Sequence, residues 1–347
     1  MRSRSAANLN FSWPITTVLT ITCLIAVNCT WGIPQEARPN ATPATSQPAK
    51  KPSKSKPPKP VAKKPTPHGP AVLPGFVLIP AGSFKMGSAN YESERGMGEG
   101  PVHVVALRAF AMSATEVTRR EFAQFVAETH YVTDAEKTTD RKLGCYGTVG
   151  GDKFTDTPGR NWRDPGFPQD DNHPVVCVTW NDANNYAEWK GDQLRARVRL
   201  PTEAEQEYAL RAGGRTLYPW GTNLDDGCGH ANIGDASVKR VHPSWTTASC
   251  NDGHAQTSAV GRYPANAFGL KDMSGNVWEW AQDCFHENYT GAPTDGSTFA
   301  GGECDYRILR GGSWATIPMN LRSATRTRHA QATRPYGDAG FRLVQEL

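Results

Sequence analysis

The chain is 347 residues long, with 38 Lys and Arg against 34 Asp and Glu, a formal charge of +4. That charge is unevenly placed: residues 1–72 carry +9 and the remainder −5. The basic balance belongs to the N-terminal stretch, so it excludes an electrostatic case for nucleic-acid binding by the rest of the chain.

The first thirty residues read as a targeting segment. Arg2 and Arg4 precede thirteen mostly apolar residues, Ile15 to Val27. A spanning helix needs about 20 apolar residues, so a secretory signal is expected over 1–30. No small-x-small cleavage site follows, which leaves an uncleaved anchor over residues 11–30 as the alternative. Cys29 as a lipidation site is disfavoured because Asn28 precedes it where a small residue is wanted. From Pro34 to Pro70, 11 of 37 residues are proline and most of the others are Lys, Ala, Ser and Thr. Such a stretch has too few apolar side chains to offset ordering entropy. Residues 31–72 are therefore expected to form a polyproline-II tether of about 3.1 Å per residue, reaching on the order of 100 Å. Its lysines suit an anionic membrane surface. The chain is expected to be exported, periplasmic or extracellular, with its N-terminus able to tether it to a membrane.

Residues 73–347 form the folded domain, ample for one sizeable core. Val104–Leu107 and Phe110–Met112 read as short strands. Thr118-Arg-Arg-Glu121 is a capping box, and Phe122, Phe125 and Val126 continue at helical spacing to Glu128 or Thr129. A second helix is predicted over Asn181–Trp189, burying Ala183, Tyr186 and Ala187. A third follows Pro201, capped by Thr202 with Glu205 and stopped at Gly213-Gly214. Beyond it lie long Gly-, Asn- and Asp-rich stretches punctuated by Trp220, Trp245, Trp278, Trp280 and Trp314. The reading is an α+β domain poor in regular structure.

Six cysteines lie in this domain: Cys145, Cys177, Cys228, Cys250, Cys284 and Cys304. An even number behind an export signal points to disulfides. No Cys-x-x-Cys or Cys/His cluster offers zinc-ligand spacing. Six cysteines permit fifteen pairings; order along the chain suggests neighbours, Cys145–Cys177, Cys228–Cys250 and Cys284–Cys304. Each would contribute roughly 3 kcal/mol by closing its loop.

Several segments then fall in order. They include Pro80-Ala-Gly-Ser-Phe-Lys-Met-Gly87, Thr115-Glu-Val-Thr118, His173 to Ala183, Arg199-Leu-Pro-Thr-Glu-Ala-Glu205, Tyr218-Pro-Trp-Gly221 and Ala231-Asn-Ile233. Phe268 to Trp280, Arg307 to Trp314, Leu321-Arg-Ser-Ala324 and Gly340-Phe-Arg342 close the series. Over residues 75–345 the chain resembles the formylglycine-generating-enzyme, or sulfatase-modifying-factor, family. The resemblance implies that family's fold, a C-type-lectin-like variant with little regular structure.

It also implies a chemistry: oxidation of a substrate cysteine by copper held between two cysteines soon after the Gly-Gly-Ser motif. Here the stretch from Ser313 to Arg322 has no cysteine. Thiolates are the soft ligands that select Cu(I), and Thr316 or Pro318 cannot replace them. Copper is therefore not expected. Ser313 and Trp280 match positions lining the family's active site, and both read equally well as loop and core residues.

Calcium is expected by resemblance at two places. One would use Asn232, the Ile233 carbonyl, Asp252 and the His254 carbonyl. The other would use the carbonyls of Ser274, Gly275 and Val277 with the Glu279 carboxylate. Oxygen ligands drawn from loops suit calcium. Gln206 stands where the family commonly has Trp, marking either weaker packing or an altered surface. The nine histidines contain no His-x-x-x-His-x-Glu iron motif, and no phosphate loop, Gly-x-Ser-x-Gly or His-Glu-x-x-His is present.

Three functional readings follow. The first is a non-catalytic binding or regulatory module whose ligand is a peptide, protein or small molecule. The second is an exported oxidoreductase acting on another substrate, like the relative in siderophore maturation. The third is true formylglycine generation. An enzyme requires a pocket with convergent polar groups near Ser313 and Arg322.

Overall fold

The computed structural model describes residues 71–96, 98–137, 144–148, 151–327 and 330–347. The export-signal and most of the tether readings lie outside them. Among the described residues no helix is long and apolar enough to cross a membrane.

The first half of the domain runs β1 (Phe76–Ile79), β2 (Gly82–Met86), β3 (His103–Leu107), β4 (Phe110–Ser113), α1 (Arg119–Thr129), β5 (Cys145–Gly147) and β6 (Thr155–Thr157). It continues through α2 (Trp180–Leu194), β7 (Val198–Arg199), α3 (Glu203–Arg211) and α4 (Ala236–Val241). The C-terminal part adds β8 (Trp278–Phe285), β9 (Glu303–Arg310), β10 (Ala330–Gln331), β11 (Ala339–Gly340) and β12 (Val344–Glu346). Two four-stranded sheets result, ordered β1-β4-β12-β7 and β10-β9-β8-β11, beside the two-stranded pairs β2-β3 and β5-β6. The architecture is α+β with much irregular chain, as the composition implied.

Each long helix starts where its side chains satisfy the free N–H groups of the first turn. Thr118 with Glu121 and Thr202 with Glu205 form the expected capping boxes. Thr179 with Asp182 forms a third, so α2 begins one residue earlier than predicted. It also runs five residues beyond Trp189. Gly191 permits this, because a Cβ there would lie 2.9 Å from the Ala196 carbonyl oxygen. The longest strands, β8 and β9, were not predicted. Their eight-residue segments pair antiparallel with a register shift on either side of Cys284, and the Cys284–Cys304 disulfide bridges them.

All three disulfides have the neighbour pairing suggested by chain order: Cys145–Cys177, Cys228–Cys250 and Cys284–Cys304. One core gathers α1 and α2 around Phe341, with the Phe122 and Tyr186 rings 5.8 Å apart and Tyr186 5.3 Å from Phe341. A second centres on Ile79, Met112, Tyr208 and Leu270. Burying side chains of this size is worth roughly 1.5–3 kcal/mol each.

Candidate functional site

Strand β9 ends at Arg310, and the turn after it needs glycine twice. Gly311 and Gly312 adopt φ of +93° and +79°. A Cβ on Gly312 would lie 2.4 Å from Leu321 Cδ2. The turn swings Ser313 inward until it is fully buried. Its hydroxyl donates to Asp338 Oδ2 at 2.8 Å, and its backbone N–H donates to Thr316 Oγ1 at 2.8 Å. Burial pushes the Asp338 carboxyl up to about 6.

Trp314 packs into a ring stack with Trp245 and His242, centroids 6.0 and 6.2 Å away. Trp280 is fully buried in the main core and donates its indole N–H to the Val178 carbonyl at 3.2 Å. It is a core residue by position. Arg322 is also closed off: Glu99 takes its guanidinium in two bonds of 2.5 and 2.8 Å, and Glu92 adds one of 2.8 Å. A cleft of about 710 Å³ is walled by residues such as Arg108, Arg199, Ser297 and Glu346. It includes none of Ser313, Trp280 or Arg322.

At the first calcium position implied by the resemblance, the backbone of Ile233 and His254 meets Asp252 through N–H groups, both donating to its carboxylate at 2.8 Å. Asn232 is fully buried; its amide donates to Gln256 O and Asn276 Oδ1, and its own Oδ1 has no hydrogen-bond partner. Asp235, not predicted, caps α4 and lies beside Asp252. Burial, with Asp235 nearby, pushes the Asp252 carboxyl up to about 7. The third group of this cluster, Cys228, is held in a disulfide, which leaves oxygen donors. The Asp235 and Asp252 carboxylates, with oxygens within 4.8 Å of each other, are donors of the kind a hard cation takes.

The second set is arranged differently. Both oxygens of Glu279 accept from Arg342 at 2.6 Å, and Oε2 also accepts from Gln206 Nε2 at 2.5 Å. Gln206 is fully buried, so the missing tryptophan marks a buried polar contact, not a changed surface. Around Arg342 stand Glu116 and Asp272 as well, and Glu116 is raised well above its ordinary value by burial and by Asp272. Glu116 Oε2, Asp272 Oδ1 and Ser274 Oγ are buried without partners. Gly275 is buried at φ +77°, and Val277, two residues on, is buried as well. Three acids face one arginine here: Glu279 is matched by Arg342, and burial raises both Glu116 and Asp272.

Sequence reasoning missed Asp338, Thr316, Asp235 and Glu116. Asp338 lies two residues before Gly340-Phe-Arg342, the one local signal that could have drawn attention to it.

These features define a disulfide-braced, loop-rich α+β domain built around a Gly-Gly-Ser turn. The family described as the sulfatase-modifying factor enzyme 1-like domain matches residues 62–347, and the chain belongs to that family. It is 37% identical over 304 residues to a formylglycine-generating enzyme of Streptomyces coelicolor, covering 80% of this chain and 92% of that one. It is 30% identical to the inactive C-alpha-formylglycine-generating enzyme 2 of Bos taurus, over 77% of this chain and 87% of that one. Among solved structures, PvdO from Pseudomonas aeruginosa superposes with a TM-score of 0.63 at 34% identity, covering 78% and 94% of the two chains.

Proposed function

We propose that this chain is an exported, non-catalytic binding or regulatory member of the family, its loops braced by calcium. One observation carries the reading. The hydroxyl of Ser313 is buried and committed to Asp338 and Thr316, on a stretch to Arg322 that holds no cysteine. All six cysteines of the described residues are in disulfides. Copper chemistry of the family's kind needs two free thiolates, and the reading leaves none. Calcium would be held by Asn232 and Asp252 with the carbonyls of Ile233 and His254. It would supply only charge neutralisation and loop order.

A second reading is an oxidoreductase of the same family acting on another substrate, supported by the match of residues 62–347 to a family described as an enzyme-like domain. Oxygen uptake on a Cys-x-Pro-x-Arg peptide with added copper separates formylglycine generation from both readings. No uptake above the buffer rate is expected. Steady uptake with loss of the peptide thiol would overturn the proposal.

A further inference from the structure

The three disulfides sit in unlike surroundings. Cys145 and Cys177 are fully buried, and Cys228 and Cys250 are partly buried against Leu321 and Tyr218. In the third, Cys284 is 4% exposed while Cys304 lies on the surface. Cys304 also lines a cleft of about 510 Å³ with Trp180, Tyr306 and Arg307. An attacking thiol can therefore reach one sulfur of this bridge from a concave surface.

Arg307 and His286 lie close to Cys284 in the ladder and in the chain, and each has one buried nitrogen without a hydrogen-bond partner. Arg307 is opposite Cys284 in the β8–β9 ladder, where the pairing is irregular on both sides of Cys284. Its guanidinium lies 3.9 Å over the Trp180 ring and donates from Nη1 to Gln282 O, while its buried Nε has no partner. His286, two residues after Cys284, stacks on Phe299 at 3.5 Å. Its buried Nε2 is also unpartnered, packed where a Cβ on Gly302 would come within 2.9 Å. Unpartnered buried donors are costly and stabilise an anion that arrives beside them.

We propose that Cys284–Cys304 is a thiol–disulfide exchange site that captures a cysteine-bearing peptide or small thiol at Cys304. The incoming thiolate attacks Cys304 Sγ, forming one new S–S bond. The Cys284–Cys304 bond breaks, and its electron pair leaves on Cys284 as a thiolate. The substrate sulfur is oxidised to the disulfide level and the protein bridge is reduced, so no further oxidant enters the step. Arg307, paired with Cys284 in the ladder, is the cation assigned to offset the charge on the buried leaving sulfur, which burial alone would oppose. Exchange depends on access to the attacked sulfur and on stabilisation of the leaving thiolate, and this bridge combines both. The inference goes beyond the binding-module reading and stands without the calcium sites.

The test treats the oxidised full chain with limiting glutathione, blocks free thiols by alkylation, and maps adducts by mass spectrometry. The glutathione adduct is expected on Cys304 and the alkyl label on Cys284, with the other two bridges intact. Arg307→Met should slow adduct formation on the order of tenfold, and Arg307→Lys should restore much of the rate. The proposal is overturned if Cys228–Cys250 or Cys145–Cys177 opens first. An adduct on Cys284, or equal opening of all three bridges, would overturn it as well. The wild-type map needs no variant to fold.

Discussion

Ser313 donates its hydroxyl to Asp338 across 25 residues of sequence, at 2.8 Å and out of contact with solvent. The pair ties the turn after Gly311 and Gly312 to the segment that precedes β11. An Asp held mostly by one hydroxyl, with burial opposing its charge, pulls protons into the folded state.

That gives a sign for pH dependence. The folded Asp338 carboxyl sits at about 6, above its ordinary 3.8, so the folded state binds more protons than the unfolded one between those values. Stability from this group is therefore present below pH 4 and is lost as pH rises toward 6, by up to about 3 kcal/mol. Asp338→Asn keeps an acceptor for Ser313 and should flatten the profile across that window. Urea unfolding at pH 4, 5 and 6.5 checks this, and an unchanged slope in the variant would contradict it.

Calcium should raise the melting temperature at pH 7, because it would bind the folded Asp252 and Asn232 and not the unfolded chain. At 100-fold above its dissociation constant the gain is about 2.7 kcal/mol. Asp252→Asn should lose most of the calcium-dependent shift whatever its own stability. Thermal scans with calcium and with chelator make the comparison; an equal shift in the variant would rule out this cradle.

Removing Arg342 leaves Glu279 buried without its cation. Arg342→Met should cost about 3–5 kcal/mol, while Gln206→Leu, which removes one hydrogen bond to the same carboxylate, should cost about 1–3 kcal/mol. Chemical denaturation of both variants ranks them. A larger loss for the glutamine would mean that Arg342 is not the main partner.

Much of the fold was legible. Capping boxes at Thr118 and Thr202 located two helices because a side-chain cap is a local hydrogen-bond pattern. The cap formed by Thr179 with Asp182 was not read, so the second helix was placed one residue late. Strands β8 and β9 escaped because Phe268–Trp280 and Arg307–Trp314 were read as motifs and their pairing is long-range. The disulfide partners followed chain order. At the site, Asp252 was named from the resemblance, while its neighbour Asp235 was not. The network of Glu116, Asp272 and Arg342 could not be read, since contacts separated by 160 residues, such as Asn276 to Glu116, leave no local trace. Gln206 was visible as a departure, yet only its contact with Glu279 gave it a meaning.

The most direct test of the central claim is a Cu(I) competition titration of the purified chain against a colorimetric chelator under anaerobic conditions. The account predicts no tightly held equivalent, because the six domain cysteines are paired and Ser313 to Arg322 offers no thiolate. One stoichiometric equivalent of Cu(I), retained against the chelator with the disulfides intact, would contradict it and place a copper site on residues not recognised as ligands.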